Sequence, residues 1–368
     1  MAEVFISAGD PSGDIAGGQL LTTLRELRPE LRLTGLGGDR MRAAGQEQFV
    51  YGSELAAMGF WEVAKRLKFF RRLLDRCVES IRAKRPAVIT LIDYPGFNLR
   101  LAARVADLGL PIVYYIAPQV WAWHASRLDQ LRKYVRQLAV ILPFEREYFA
   151  RHGIEAEFVG HYLFDDMAEF VRAPYDPNSR VIALLPGSRQ QEVTRILPPM
   201  LQAARILGAN NWSFRIAAVS RVNYEPTLGA FPEFRGALEY DSSRELMRRA
   251  ALVVSASGTA TLEAALIGRP LVALYKTSPV TYLIAKRLVT LPSIVLANLV
   301  AGERVAPELI QGQATGARAA QEIGALMGDV PRRLDMVDRF NRITDLFPIT
   351  GASRRVADIV ATYLPACG

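Results

Sequence analysis

The sequence predicts an α/β protein that contains two doubly wound parallel sheets. Its 368 residues exceed what one hydrophobic core usually serves, and half of them are apolar, which suffices for two cores. Short β-branched runs alternate with helical patterns in both halves of the chain, which is typical of parallel βαβ units. We therefore expect two α/β domains, each of about 150 to 200 residues.

Eight apolar runs predict the strands. In order they are Val4 to Ala8, Val88 to Asp93, Ile112 to Ala117, Leu138 to Leu142, Val181 to Leu185, Phe214 to Val219, Leu252 to Ser255 and Leu271 to Leu274. The stretch 164–180 separates the halves, because two prolines break any helix there and no strand pattern continues. The predicted domains are residues 1–165 and 178–345. Residues 346–368 form a helical segment that could return to the first domain.

Composition excludes several classes of protein. Cys77 and Cys367 lie far apart without a CxxC motif, and His124, His152 and His161 lack metal-ligand spacing, so neither a disulfide framework nor a metal site is expected. A net charge of +8 points to an anionic partner. No zinc finger, RNP-like motif or basic tail accompanies that charge, so we do not expect a nucleic-acid partner.

The sequence gives no sign of a membrane-spanning segment. The longest apolar run, Leu291 to Ala301, is shorter than the roughly 18 residues that a spanning helix needs. Met1 to Gly9 has no basic n-region and is interpreted as the first buried strand rather than a leader. We expect a protein that is soluble or peripheral to a membrane.

Residues 55–76 predict a basic amphipathic segment. Its apolar stripe comprises Val63, Leu67, Phe70, Leu74 and Cys77, and its basic face comprises Lys65, Lys68, Arg72 and Arg76. Further large hydrophobic residues are Met58, Phe60, Trp61 and Phe69, the last placed among the basic residues. One interpretation is a surface helix docked by its stripe. The other is a surface that rests on anionic lipid headgroups, which suits a lipid substrate.

Two turns in the second half are suited to bind phosphate. Each follows a predicted strand and begins a helix, where unpaired backbone N–H groups and the helix dipole attract anions. The residues are Gly187, Ser188 and Arg189 in one turn, and Ser257, Gly258 and Thr259 in the other. Taken singly, either turn is more often an ordinary helix cap. Together they favour a bound nucleotide diphosphate.

The first strand-to-helix junction, Ala8 to Gly18, is rich in glycine and acid. Its position after a strand makes Ser12 and Gly13 candidates for contact with substrate. Asp14 is interpreted as an ordinary acidic residue at a helix start, and Gly17 and Gly18 as sites of close helix-to-sheet packing.

Asp93 is the best candidate for a catalytic base. It ends the apolar strand that begins at Val88, so it emerges at the edge of the sheet where ligands bind. A carboxylate at the mouth of a partly dry cleft has a raised pKa and can accept a proton from an attacking hydroxyl. The alternative is that Asp93 caps the helix that starts near Asn98. Trp121 and Trp123, in a loop after the next strand, suit a sugar face or an acyl chain, or form a lid packed on their own domain.

Several motifs are missing from the sequence. It contains no GxGxxG with a partner acid, no GxSxG and no Walker GxxxxGK[ST], so we expect no nicotinamide cofactor, acyl hydrolase or P-loop kinase. No DxD pair is placed to hold Mg²⁺, since Asp165 and Asp166 fall near the predicted linker. We therefore expect no cofactor, and expect Arg189 and helix N-termini to receive the charge of a leaving group.

With these residues assembled, the chain resembles the lipid-A-disaccharide synthase family, inverting glycosyltransferases of family 19 from Gram-negative bacteria. The resemblance runs almost end to end and depends on the joint order of many short motifs. They are Ala8 to Asp14, Gly37 to Met41, Ala57 to Gly59, Ile92-Asp93 with Phe97-Asn98, Val120 to Trp123, Leu142 to Glu145, Phe158 to His161, Leu184 to Arg189, Ser257 to Glu263, and Asn298 with Pro307 to Gln311.

The resemblance implies a GT-B architecture, in which two Rossmann-like domains face a cleft, with the acceptor mainly on the first and the nucleotide sugar mainly on the second. It implies UDP-2,3-diacylglucosamine as donor and 2,3-diacylglucosamine 1-phosphate, lipid X, as acceptor. The products are the β(1→6) disaccharide 1-phosphate and UDP. Asp93 would deprotonate the acceptor 6-hydroxyl, and Asp10 would stand where the family usually has a glutamate in its catalytic site.

Further roles are implied for the donor half. Glu263 matches an acid aimed at the ribose hydroxyls, and Asn298 and Gln311 match polar positions near the donor. Family members work at the cytoplasmic face of the inner membrane, which implies a peripheral protein, and are associated with homodimers through the C-terminal region.

The chain departs from the family pattern at four positions. They are Asp10 for glutamate, Gly96 for a second acid, His124 for arginine, and Ala297 for proline. None removes the expected base or diphosphate site. Two rival functions remain open at this point: another GT-B enzyme such as a UDP-N-acetylglucosamine 2-epimerase, and a non-catalytic lipid-binding protein on the same scaffold.

Overall fold

The computed structural model describes residues 2–49, 67–122, 126–208, 212–240, 242–279, 282–283, 292–348 and 350–366. The chain divides into two compact units. The first comprises Met1–Asp166 together with Pro348–Gly368, and the second comprises Met167–Phe347. The C-terminal segment therefore returns to the first unit, which the sequence had indicated only as a possibility.

A sheet of seven parallel strands forms the centre of the first unit, in the order β3-β2-β1-β4-β5-β6-β7. The strands are β1 (Glu3–Ser7), β2 (Arg32–Leu36), β3 (Glu47–Gln48), β4 (Val88–Ile92), β5 (Ile112–Tyr115), β6 (Gln137–Val140) and β7 (Ala156–Phe158). Because β1 lies between β2 and β4, the chain runs outward from it in both directions. Such a reversal of strand order opens a ligand crevice at the carboxyl ends of the strands.

Helices cover this sheet. They are α1 (Pro11–Leu27), α2 (Asp39–Ala43), α3 (Leu67–Lys84), α4 (Pro95–Val105), α5 (Arg127–Tyr134), α6 (Glu145–Arg151) and α7 (Leu163–Met167). The strands read as nearly continuous apolar runs because both faces of the sheet are buried; Ile89, Leu91 and Val140 are fully buried.

The second unit repeats the plan with six parallel strands, in the order β10-β9-β8-β11-β12-β13. The strands are β8 (Val181–Leu185), β9 (Ser213–Ala218), β10 (Leu238–Tyr240), β11 (Leu252–Ala256), β12 (Leu271–Tyr275) and β13 (Glu308–Ile310). Here the order reverses at β8, between β9 and β11. The two phosphate-binding turns predicted from the sequence follow β8 and β11, so they meet at this switch point.

The helices of the second unit and the C-terminal segment complete the fold. They are α8 (Gln190–Leu207), α9 (Glu225–Leu228), α10 (Ser243–Arg249), α11 (Thr259–Ile267), α12 (Leu296–Ala301), α13 (Gly316–Met327), α14 (Val330–Asp345) and α15 (Ala352–Ala361). The helix α15 packs against α1 and β5. Asp165 holds its start by accepting hydrogen bonds from the N–H groups of Gly351 (2.6 Å) and Ser353 (2.9 Å).

The amphipathic pattern after residue 66 is a real helix, α3, docked on the core of the first unit. Cys77 and Leu73 are buried, and Phe70 and Leu74 are partly buried against the same core. Phe69 does not stand wholly among the basic residues as predicted, because its ring packs partly against this core and contacts the ring of Phe70 edge-to-face. Within the described ranges, no helix has both the length and the apolar character to cross a bilayer.

Candidate active site

Asp93 lies at the turn between β4 and α4, in an unusual backbone conformation. Asp93 and Tyr94 both have positive φ values, +45° and +49°, which non-glycine residues rarely adopt. The Asp93 N–H donates to the Tyr115 carbonyl (3.0 Å), and its own carbonyl accepts from the Tyr114 hydroxyl (2.7 Å) and the Asn98 amide (2.8 Å). These bonds fix the position of Asp93 at the carboxyl edge of the sheet.

Asn98 is the centre of this network. Its amide oxygen accepts from the Ser7 hydroxyl (2.7 Å), and its Nδ2 also donates to the Ile92 carbonyl (3.1 Å), so it joins the ends of β1 and β4. The N-cap of α4 is Tyr94, and no side chain caps this helix within the described residues. The alternative that Asp93 caps the helix is therefore wrong; its carboxylate accepts a hydrogen bond from the N–H of the next residue, Tyr94.

The second acid of the site, Asp10, is the N-cap of α1 and accepts a hydrogen bond from the Gly13 N–H (2.7 Å). Burial raises the pKa of Asp93 to about 8, and the negative charges of Asp10 and, to a smaller degree, Glu145 add to the increase. Protonated Asp93 donates a hydrogen bond to the Asp10 carboxylate, which also favours the protonated form of Asp93. The first unit thus brings together the two acids that sequence analysis assigned to catalysis.

Residues at the start of α1 contact the acid Asp10 of the candidate site and also the neighbouring helix α2. Gly13 is buried, and a Cβ there would lie only 3.0 Å from the Asp10 carboxylate, while Ser12 beside it is partly exposed. Asp14 accepts from the N–H groups of Gly38 (2.9 Å) and Met41 (3.0 Å), so it caps the following helix, α2. Asp14 lies in the first turn of α1 as interpreted from the sequence, but its hydrogen bonds serve the start of α2 instead.

The two later glycines of this junction, Gly17 and Gly18, allow close packing, but not the packing of helix on sheet that the sequence predicted. A Cβ on Gly17 would lie 2.5 Å from the sulfur of Met41, and one on Gly18 would lie 3.1 Å from the Cβ of Arg40. The close approach is between α1 and α2, rather than between helix and sheet.

Trp121 packs on its own domain. Its indole N–H donates to Glu145 Oε1 (2.9 Å). Its ring contacts that of Phe144 edge-to-face, with 5.1 Å between the ring centroids. The other Glu145 oxygen accepts from the N–H groups of Ile141 (3.1 Å) and Leu142 (2.9 Å). Burial raises the pKa of Glu145 to about 7 despite these bonds. Sequence analysis did not single out Glu145; its only signal was its place in a family motif.

Four predicted lipid contacts, Met58, Phe60, Trp61 and Trp123, lie outside the described residues, as does His124. Across the described ranges, no group of three His, Cys, Asp or Glu side chains could hold a metal ion.

In the second unit, Gly187, Ser188 and Arg189 form the turn between β8 and α8. Gly187 has φ +110°, a conformation that favours glycine, and Arg189 is the N-cap of α8. The Glu192 carboxylate accepts from the N–H groups of Ser188 (3.2 Å) and Arg189 (3.3 Å), and the Arg189 guanidinium donates to it as well (2.9 Å). Sequence analysis missed Glu192.

The turn after β11 begins α11 at Thr259. Gly258 has φ +155° and is exposed, a Cβ there would meet no described atom within 4 Å, and as the N-cap of α11 it has no side chain with which to cap the helix. The Ser257 hydroxyl donates to the Ile294 carbonyl (2.9 Å), which holds the turn in place. An open helix N-terminus beside a glycine is the geometry expected for an anion site.

Glu263, on the first turns of α11, is paired with an arginine that sequence analysis missed. Arg244 donates to Glu263 Oε1 through Nε (3.1 Å) and Nη2 (3.0 Å), and both side chains are largely buried. The partners lie 19 residues apart on different helices, so no local spacing could reveal the pair. The pair orients Glu263 at the edge of the sheet.

Asn298 is buried, and its hydrogen bonds are within the protein. Its Nδ2 donates to the Ala306 carbonyl (2.9 Å) and Glu308 Oε1 (2.7 Å), while its Oδ1 accepts from the N–H groups of Val305 (3.0 Å) and Ala306 (2.8 Å). With these four bonds made, Asn298 braces the segment that leads into β13 rather than pointing to a ligand.

Gln311 also braces a loop. It has φ +51°, and its side-chain amide accepts from the Thr277 N–H (2.7 Å) and donates to the Thr277 carbonyl (3.2 Å). It lines a cavity of about 440 Å³ together with Arg195 and Lys276. In the described part of the chain, neither cation has a carboxylate partner.

The fold is shared with solved glycosyltransferases and with a solved sugar epimerase. The glycotransferase of kitacinnamycin superimposes with a TM-score of 0.67 over 99% of both chains at 15% identity. A UDP-GlcNAc 2-epimerase from Neisseria meningitidis, bound to UDP-GlcNAc, gives a TM-score of 0.65 over 98% of this chain and 100% of its own at 9% identity. Two parallel-sheet domains of this kind define the GT-B class of glycosyltransferases.

Sequence comparison identifies the family within that class. The family model described as lipid-A-disaccharide synthetase matches residues 4–348. The lipid-A-disaccharide synthase of Syntrophus aciditrophicus is 38% identical over an alignment of 380 residues, which covers 98% of this chain and 97% of the relative. That of Koribacter versatilis is 37% identical over 356 residues, which covers 94% and 93%. The chain belongs to the lipid-A-disaccharide synthase family and is a glycosyltransferase of lipid A biosynthesis.

Proposed function

We propose that the chain transfers 2,3-diacylglucosamine from UDP-2,3-diacylglucosamine to the 6-hydroxyl of lipid X with inversion. The products are the β(1→6) disaccharide 1-phosphate and UDP. The observation that carries this proposal is Asp93, a carboxyl group held rigidly at the carboxyl edge of the first sheet with its pKa raised to about 8. A base with a pKa near the working pH is the most effective acceptor of a proton from a hydroxyl.

The proposed reaction is a single displacement. Asp93 takes the proton of the acceptor 6-hydroxyl as the oxygen attacks the anomeric carbon of the donor. The new C–O bond forms on the face opposite the diphosphate, and the bond from the anomeric carbon to the diphosphate oxygen breaks, so UDP leaves with the electron pair. Asp10 keeps the proton affinity of Asp93 high through its negative charge.

The second unit would hold the donor. We assign the diphosphate to the Gly187–Arg189 turn and to the uncapped start of α11, where Ser257, Gly258 and Thr259 lie. Backbone N–H groups and a guanidinium arranged beforehand stabilise charge that develops on a leaving group. Glu263, oriented by Arg244, is assigned to the ribose hydroxyls.

In this proposal Asn298 and Gln311 act indirectly, without contacting the donor themselves. Their side chains hold backbone segments at the carboxyl edge of the sheet, and those segments would shape the donor site. On the acceptor side, Ser12 and Gly13 lie beside Asp10, and Trp121 lies on the loop after β5. We assign these three residues to the acceptor sugar.

We also propose that the protein works at the cytoplasmic face of the inner membrane. The observation that supports this is the outer face of α3, where Lys68, Arg72 and Arg76 are exposed while the opposite stripe packs on the core. Such a face is attracted to anionic headgroups. A homodimer formed through the C-terminal region is a further prediction.

The test is to incubate purified protein with UDP-2,3-diacylglucosamine and EDTA, with and without lipid X, and to follow UDP and the lipids by mass spectrometry. We expect the disaccharide 1-phosphate and UDP only when lipid X is present. UDP-sugar isomerisation without lipid X would indicate an epimerase instead. No product together with retained lipid binding would indicate a non-catalytic scaffold.

A further inference from the structure

The phosphate-binding turn of the second unit already holds an anion that belongs to the chain. The Glu192 carboxylate accepts hydrogen bonds from the N–H groups of Ser188 (3.2 Å) and Arg189 (3.3 Å) and an additional one from the Arg189 guanidinium (2.9 Å). These are the donors that the proposed function assigns to the diphosphate of the donor. A carboxylate therefore stands where a phosphate oxygen has to bind.

The turn is built closely around this carboxylate. A Cβ on Gly187 would lie 2.6 Å from Glu192 Oε2 and 2.9 Å from the Glu192 Cβ, so a larger residue at Gly187 would collide with it. Glu192 is nevertheless not locked in place, since 37% of its side chain is exposed, as is 62% of that of Arg189. The carboxylate fills the turn and can still rotate out toward solvent.

We propose that Glu192 is a displaceable internal competitor for the donor diphosphate, which makes it a specificity-determining residue of the transferase. This inference rests on the proposed function. A phosphate and a carboxylate cannot share the same N–H donors, because two anions in contact repel each other. Each ligand that uses the turn through a phosphate has to break the contacts of Glu192, whereas a ligand without a phosphate leaves them intact.

The surroundings offer the displaced carboxylate other partners. Arg195 lies one turn further along α8, and Lys276 lies across the 440 Å³ cavity that both line. Neither cation has an ion-pair partner among the residues that the structure describes. Burial raises the pKa of Tyr275, the residue before Lys276, and the negative charge of Glu192 adds to the increase. Glu192 can therefore leave the turn without losing all favourable electrostatic contact.

A purely structural role makes a different prediction. A glutamate at the third position of a helix often stabilises the helix start through the same N–H groups. If that were its whole function, neutralising it would lower stability and leave the affinity for nucleotide unchanged or weaker. If Glu192 is a competitor, neutralising it should instead strengthen nucleotide binding, because its negative charge no longer opposes a phosphate at the turn.

The experiment measures UDP and uridine binding by calorimetry and NMR titration for the wild-type protein and for Glu192→Gln. We expect a Kd for UDP about three- to tenfold lower in the variant, because the Gln oxygen still accepts from the backbone N–H groups but no longer carries the charge that pairs with Arg189 and repels a phosphate. Uridine binding should not change. The matched control is Glu245→Gln, which removes a glutamate at the same position of α10 that pairs with Arg248 (2.8 Å), and should leave UDP binding unchanged.

Glu192→Asp provides a second variant that keeps the charge. Its side chain is one methylene shorter and loses its reach to the Ser188 N–H, so UDP should again bind more tightly; this variant carries the test if Glu192→Gln does not fold. If the wild-type protein binds UDP and the folded variants bind it no more tightly than the wild type, this inference is overturned and the proposed function is not. A wild-type protein that binds no UDP overturns the proposed function together with the inference.

Discussion

The indole N–H of Trp121 donates a 2.9 Å hydrogen bond to the buried carboxylate of Glu145, joining the loop after β5 to the start of α6. Glu145 also accepts hydrogen bonds from the N–H groups of Ile141 and Leu142, so each of its two oxygens accepts from at least one N–H donor. Its charge contributes to the raised pKa of Asp93. One buried acid thus connects the Trp121 loop with the electrostatics of the candidate base.

Glu145→Gln should lower the free energy of unfolding by about 1 to 3 kcal/mol, because an amide must turn its NH2 group toward either the indole N–H or the backbone N–H groups. Urea denaturation measures the loss. In a Trp121→Phe background the clash with the indole N–H is absent, so the cost of Glu145→Gln should be smaller. Equal costs in both backgrounds would show that the pair does not interact.

Asp93→Asn should reduce kcat by about 10² to 10⁴-fold, since the amide cannot accept the proton of the acceptor hydroxyl. UDP binding, assigned to the other unit, should stay within error of wild type. Turnover is followed as UDP released per enzyme under saturating lipid substrates. Near-normal turnover in the variant would refute the assignment of Asp93 as base.

The pH dependence of kcat/KM should show an acid limb near pH 8. Asp93 is protonated below its raised pKa, so activity falls as the pH drops through that value. Asp10→Asn removes a neighbouring negative charge while its side-chain oxygen can still cap α1, so the pKa of Asp93 falls and the limb moves to lower pH. Asp39→Asn, which neutralises an exposed acid of the same unit, should not move it.

Gly9 and Gly96 form a matched pair of glycines on the two sides of Asp93. A Cβ on Gly9 would lie 2.2 Å from the Tyr94 ring, so Gly9→Ala should destabilise the protein by about 1 to 3 kcal/mol through overpacking and should also lower kcat. Nothing described lies within 4 Å of a Cβ on Gly96, so Gly96→Ala in α4 should be neutral or stabilise the helix by up to about 1 kcal/mol. Thermal unfolding and steady-state turnover measure both effects.

Charge reversal of Lys68, Arg72 and Arg76 should weaken binding to vesicles that contain anionic phospholipid by about a hundredfold, at about 1 kcal/mol per basic residue. Wild-type binding should weaken with added salt for the same reason. The control reverses three exposed cations elsewhere on the first unit, Arg132, Lys133 and Arg136. Vesicle flotation at several salt concentrations provides the measurement, and equal binding by both triple variants would exclude α3 as the lipid-binding face.

All eight predicted strands exist in the structure, and the described part of the chain contains five others that the sequence did not predict. Among the missed strands, β3, β7, β10 and β13 have two or three residues each, too few for an alternating or apolar pattern to register. The fifth, β2, is interrupted by Gly35, where a Cβ would lie 2.1 Å from the Ile6 carbonyl oxygen. Each of these strands is held by pairing with a neighbouring strand, which a local pattern does not record.

The residues of the candidate site likewise divide into those that a local sequence pattern predicted and those that it did not. Asp93 and the two turns of the second unit could be predicted because a side chain or a glycine at the end of a buried strand must emerge at the carboxyl edge of a parallel sheet. Glu145, Glu192 and Arg244 were not singled out from the sequence. The hydrogen bond between Trp121 and Glu145 and the pair between Arg244 and Glu263 join residues 24 and 19 positions apart, and side-chain spacing carries no information at that range.

The sequence by itself determined the alternation of strands and helices, the existence of two parallel sheets, and the turns at which chemistry can occur. These follow from periodicity and from the conformational limits of glycine and proline, which act over a few residues. Only the tertiary structure decided that Phe69 packs partly on a core, that Asn298 is a brace, that Glu192 fills the turn after β8, and that the pKa of Asp93 is raised to about 8. Burial and charge act through space, and the distances that set them exist only once the chain has folded.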